Sequence, residues 1–208
     1  MLYTTIKTYS NTISIQVQYI AYFFISPHTI YLISHTRQGE FMKKHVLICT
    51  IVCALFVAVL GTLGHFFYKW SDYNPYIGLF FPVNESTWEH MKLFFFPAFI
   101  CYISLCFLKK NREPCILYAF PKAIFLGTFL IPTLFYTYVG ILGFHKSFLD
   151  ISIFYISVIL SFLYLYKSTV AVKKLEYSPY ANLGLLVLAF LFISFTYNPP
   201  ALGIFAVP

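Results

Sequence analysis

Between Asn84 and Lys92 the chain reads N-E-S-T-W-E-H-M-K, and six of these nine residues (Asn84, Glu85, Ser86, Glu89, His90 and Lys92) ionise or hydrogen-bond strongly. Two carboxylates and an imidazole so close together could hold a metal ion or transfer protons. With a further imidazole from His65, the residues His65, His90 and Glu89 would ligate a zinc ion and Glu85 would act as general base. That is the open pattern of three protein ligands and a water used in metal-dependent hydrolysis. Alternatively, Ser86 and His90, at i and i+4 on a helix, would serve as nucleophile and base. The His-Glu-x-x-His spacing of metalloproteases is absent. A third use needs no bond-breaking: Asn84, Glu85, Glu89, His90, Lys92 and His65 would bind a small molecule or a lipid headgroup.

The same residues also have a structural use. Ser86-Thr87-Trp88-Glu89 has the form of a capping box just ahead of an apolar run, with Asn84 as an alternative N-cap. Capping leaves several polar groups unused. At 100° per residue, Lys92, Glu85, Glu89, Ser86 and His90 fall in one arc of roughly 160°. A helix with such an arc at a membrane boundary turns it toward the bundle or a wet cavity. Glu89 and Lys92, at i and i+3, would neutralise each other in part, and Pro97 permits a kink below them. On the preceding run Gly61, Gly64, His65 and Tyr68 share a face, and the small residues there allow a second helix to come close. These elements would bring His65 to the depth of the motif.

The elements that must position these groups are membrane helices. Of 208 residues 60% are hydrophobic and only 10% charged, against about 25% charged in soluble domains. Phe (25) and Tyr (18) are abundant, as suits lipid-facing surfaces and interfacial belts. The composition predicts an all-α polytopic membrane bundle of about five transmembrane helices, at 46–68, 86–108, 116–139, 148–166 and 180–197. The net charge of +7 lies in short clusters between apolar runs, which argues against nucleic acid and for topology. Lys43, Lys44, Lys109, Lys110, Arg112, Lys167, Lys173 and Lys174 fall on one side and Lys69, Lys92 and Lys146 on the other. The positive-inside rule then makes the core N-terminus cytoplasmic and the C-terminus external, with the polar motif facing outward from the cell membrane. The five cysteines, Cys49, Cys53, Cys101, Cys106 and Cys115, have no CxxC or zinc-type His spacing. Four lie in apolar runs, where they act as small hydrophobes.

Residues 1–41 differ in character. Tyr19–Ile33 is interrupted by Pro27 and His28 and falls short of a span, and no signal-peptide pattern is present. Gln38-Gly39-Glu40 is encodable as CAA GGA GAA, which contains a bacterial ribosome-binding sequence just before Met42. The expectation is that translation starts at Met42, that 1–41 is a non-native extension, and that 42–208 forms a single integral-membrane domain.

The stretches "HFFYKW", "GLFFPVNESTWEHMKLFFFP", "FLIPTLFYTYVGILG" and "FTYNPP" resemble an uncharacterised family of multi-span membrane proteins from bacteria of the Firmicutes, with an N-E-S-x-W-E-H-x-K signature. The resemblance covers Met42 to about Pro200. It implies a helical membrane fold and, the family's function being unknown, no activity.

Overall fold

The computed structural model describes residues 27–108, 114–171 and 179–207, the side chains of 27–39, 41, 114 and 115 excepted. The described residues are helical, without strands, as the composition predicts. In order they form α1 (Pro27–Trp70), α2 (Pro75–Gly78), α3 (Thr87–Leu108), α4 (Pro114–Leu142), α5 (Ser147–Ala171), α6 (Pro179–Phe195) and a 3₁₀ turn, Gly203–Phe205. The chain divides after His45 into two compact units, and all the polar clusters described below lie in the second, Val46–Pro208. Met42 falls within α1, while residues 1–26 lie outside the described residues. Lys109, Lys110, Arg112, Lys173 and Lys174, which carry much of the orientation reading, lie outside them too.

Among the described residues four helices are long and apolar enough to cross a membrane: Met42–Trp70, Thr87–Leu108, Ile116–Leu142 and Ser147–Ala171. The fifth expected span is shorter than its apolar run. Helix α6 has 17 residues, about 26 Å at ~1.5 Å per residue, against ~30 Å of hydrocarbon. Its stop at Phe195 has a local cause. Pro199 and Pro200 follow, and the residue before a proline is pushed out of the helical region.

Helix α3 is the centre of the bundle. Every side chain from Met91 to Ala98 is buried, as expected of a helix apolar on all sides. Pro97 sits inside α3 without ending it. Glycines let the neighbours approach. A Cβ on Gly61 would lie 2.5 Å from Phe154 Cζ and 2.6 Å from the Leu93 carbonyl oxygen, so α1, α3 and α5 meet at that level. A Cβ on Gly127 of α4 would overlap the ring of Phe94. The C-terminal turn packs back on α3, with Phe205 and Phe192 at 4.8 and 4.6 Å from the Trp88 ring. The connection 71–86, the connection 143–146 and the tail after α6 share one end of the bundle. Lys92 at the start of α3 bonds Thr196 just beyond α6, and Tyr136 near the end of α4 bonds the Gly203 carbonyl.

Candidate functional site

The connection from α1 to α3 is built by local hydrogen bonds. Asp72 (φ 52°) and Tyr73 (φ 60°) take left-handed conformations and turn the chain off α1. Asn74 caps α2 by accepting the Tyr76 N–H at 2.9 Å, with Pro75 in the first turn. The end of the connection is tied by side chains of the motif. Asn84 Oδ1 accepts the Ser86 N–H at 2.9 Å, and Ser86 Oγ accepts the Glu89 N–H at 3.4 Å. Ser86 is therefore the N-cap, as its place in the motif predicts. The reciprocal half of the box is displaced: Glu89 Oε2 accepts the Val83 N–H at 3.0 Å instead of that of Ser86.

Beneath this loop lies an ion pair removed from solvent. Lys92 is 0% exposed and Glu89 2%. Lys92 Nζ donates to Glu89 Oε2 at 2.8 Å, Thr196 Oγ1 at 2.7 Å and the Gly78 carbonyl at 3.2 Å. All three ammonium protons thus have acceptors, the condition on which a buried charge is tolerated. The pair ties the loop at Gly78 and at Val83 to α3 and to the end of α6.

Above it, three other groups converge. His65 Nε2 is 3.7 Å from Glu85 Oε1, and His90 Nε2 is 3.3 Å from Glu85 Oε2. The two imidazoles stack with centroids 5.5 Å apart. One ligand atom from each of His65, Glu85 and His90 lies within 4.8 Å of the others. The Glu85 side chain is 64% exposed, so the cluster opens to the outside. Its bond with the His90 ring holds the Glu85 carboxyl below the usual carboxylate range, against a smaller opposing effect of partial burial.

His90 Nδ1 lies 3.0 Å from the Ser86 carbonyl oxygen. A carbonyl only accepts, so Nδ1 carries a proton and Nε2 is the nitrogen turned to Glu85. In a neutral ring that Nε2 is a bare lone pair facing a carboxylate oxygen. The contact is favourable only when something positive stands there: a second proton on the ring, or a cation between the two atoms.

The geometry redistributes the roles the spacing predicts. Of the expected zinc ligands His65, His90 and Glu89, the two histidines come together, but Glu89 is turned away and consumed by Lys92 and Val83. Glu85, expected as a base, stands in its place. The helical arc misplaces Glu85 because α3 begins only at Thr87, which frees Glu85 from helical register. The Ser86–His90 dyad does not form: Ser86 is 1% exposed, and the His90 ring bonds its carbonyl, not its hydroxyl. Asn84 spends its carbonyl oxygen on the turn, and Lys92 is too deep to meet a ligand. Thr196, the third arm of the buried network, carries no signal in the sequence. A polar set on α4, α5 and the connection between them also escapes the motif. The Tyr138 hydroxyl donates to Asp150 Oδ1, and His145 Nδ1 is 3.6 Å from Asp150 Oδ2. An acid at the very start of an apolar run was the available signal for it.

The fold and its polar end define a multi-pass helical protein whose four long apolar helices suit a lipid bilayer. The chain belongs to the family described as "Family of unknown function (DUF6512)", whose model matches residues 35–207. The match reaches further at both ends than Met42 to Pro200, and it includes the tail that packs on Trp88. No curated protein and no solved structure matches the chain.

Proposed function

We propose that this membrane protein binds a divalent transition-metal cation, of the zinc class, through His65, Glu85 and His90 at the outward-facing end of its bundle. The observation that carries the reading is the contact of His90 Nε2 with Glu85 Oε2 while Nδ1 is committed to the Ser86 carbonyl. A histidine whose far nitrogen bonds a backbone carbonyl is oriented, and fixed in tautomer, as metal-ligating histidines commonly are. Two imidazoles and one carboxylate suit zinc and its neighbours better than calcium or magnesium, which prefer oxygen alone. Three protein ligands leave an open position for water or a bound molecule. Glu89 and Lys92 shape the loop that carries Glu85 and do not touch the cation. Outward orientation rests on the distribution of Lys and Arg along the chain.

Metal analysis of the full chain, purified in detergent and re-equilibrated with zinc after chelation, tests this. The expected result is about one zinc per chain, with a rise in melting temperature on zinc addition. Uptake should be lost in His90→Ala and strongly weakened in His65→Ala and Glu85→Gln, with the metal-free variants still folded. Zinc uptake no greater than in a His65→Ala/His90→Ala double variant overturns the reading.

A further inference from the structure

Trp88 carries a hydrogen-bond donor that the fold leaves unused. It stands in the first turn of α3, at the loop end of the bundle, and is buried. Its indole Nε1 is enclosed and has no hydrogen-bond partner among the described residues. A tryptophan at a membrane boundary ordinarily keeps this N–H toward water or headgroups while its ring lies in the apolar layer. Here aromatic rings close around it. Phe192 and Phe195 of α6 lie at 4.6 and 6.0 Å, and Phe205 of the C-terminal turn at 4.8 Å. An indole nitrogen only donates, so what Trp88 lacks is an acceptor.

Two of those rings belong to a packed helix and the third to a short strap, residues 200–207. Backbone bonds within the strap close on the strap itself: Leu202 N–H to the Pro200 carbonyl, Phe205 N–H to Leu202, and Ala206 N–H to Gly203. Toward the bundle, the Tyr136 hydroxyl donates to the Gly203 carbonyl at 3.1 Å. Phe205 rests on Trp88 and Phe195, and Ile204 packs beside it. Leu202 and Val207 are exposed on its outer side. The strap is thus a lightly tied apolar cover over a donor that it does not satisfy.

We propose that the strap covers a lipid site. When it turns aside, the ester carbonyl of one glycerolipid accepts the Trp88 N–H, and the adjoining acyl chain replaces Phe205 against Trp88, Phe192 and Phe195. Depth selects this ligand, because the first turn of a membrane helix lies in the interfacial layer that holds the glycerol esters. Chemistry selects it too. An ester carbonyl accepts without donating, which matches a lone N–H, and the aromatic walls suit an acyl chain while offering no charge to a phosphate. The site owes nothing to the cation.

Tryptophan fluorescence is the readout. The full chain with Trp70→Phe keeps Trp88 as its one tryptophan. It is reconstituted in vesicles of ether-linked phosphatidylcholine, which lacks the ester carbonyl. Into these is titrated phosphatidylcholine brominated near the glycerol end of the acyl chain, which quenches tryptophan on contact, in an ester-linked or an ether-linked form. The ester form should quench Trp88 with about fivefold higher apparent affinity than the ether form, the worth of one net hydrogen bond. Phe205→Ala and Tyr136→Phe each loosen the strap and should deepen quenching by the ester form; if the first does not fold, the second carries the comparison. In a Trp88→Phe chain, the exposed Trp70 should be quenched alike by both forms. Equal quenching of Trp88 by the two forms means contact with bulk acyl chains only and overturns the proposal. So does a Trp88 that stays unquenched in the native strap and in the loosened variants. No metal enters these vesicles, so either result leaves the cation site as it stood.

Discussion

At the scale of single residues, Glu85 and Glu89 show what a motif reveals and what it conceals. That the stretch Asn84–Lys92 starts a helix and carries polar chemistry was legible, because caps and apolar runs have a residue grammar. Which carboxylate goes where was not, because it turns on a helix start two residues after Glu85 and on a Lys92 whose third partner, Thr196, is remote in sequence. Burial makes the pair sensitive to partial removal. Lys92→Met leaves the Glu89 carboxylate buried without its cation, a loss on the order of 3 kcal/mol. Lys92→Met combined with Glu89→Gln removes both charges and should recover a good part of it. Unfolding of Lys92→Met, Glu89→Gln and the double variant in detergent measures this, and a double variant as unstable as the sum of the singles contradicts the pairing.

At the scale of elements, close approach is set by glycines, and only some of these are readable. Gly61 and Gly64 stand four residues or fewer from each other on α1, with His65 next to them, and so advertise an interface. Their structural neighbours are Leu93 and Phe154 for Gly61, and Phe81 and Leu93 for Gly64. Gly127 has only Ala123 at i−4 as a small neighbour, a weaker mark than two glycines, yet the fully buried Phe94 ring packs where its Cβ would be. Gly184 meets one atom closer than 3.0 Å, Phe125 Cζ at 2.9 Å, and Phe125 is only half-buried and able to swing aside. Leucine at Gly61, which faces the Leu93 backbone, or at Gly127 should therefore sharply reduce the yield and melting temperature of folded protein. Leucine at Gly184 should cost much less, and at Gly140, with nothing within 4 Å, almost nothing. Comparable damage at Gly61 and Gly184 would remove the case for a tight α1–α3 approach.

At the scale of the whole molecule, the membrane class and the number of apolar helices follow from composition, since each span needs only length and hydropathy. The sidedness of the ends needs contacts. Helix α6, at 17 residues, is short enough that length alone leaves its crossing open. The bond from Lys92 to Thr196 decides where it finishes, at the same end as the connections 71–86 and 143–146. A reporter inserted in 143–146 and one fused at the C-terminus should therefore score on the same side, opposite to one placed after Lys110. The Lys and Arg distribution further predicts that the shared side is external. Two outcomes separate the claims. If all three reporters are inverted together, the helix arrangement stands and the polar end faces the cytoplasm, where cytosolic metal buffering would govern the cation site. If the C-terminal reporter parts company with 143–146, α6 does not finish beside Lys92, and the buried network that shapes the Glu85 loop loses its third arm.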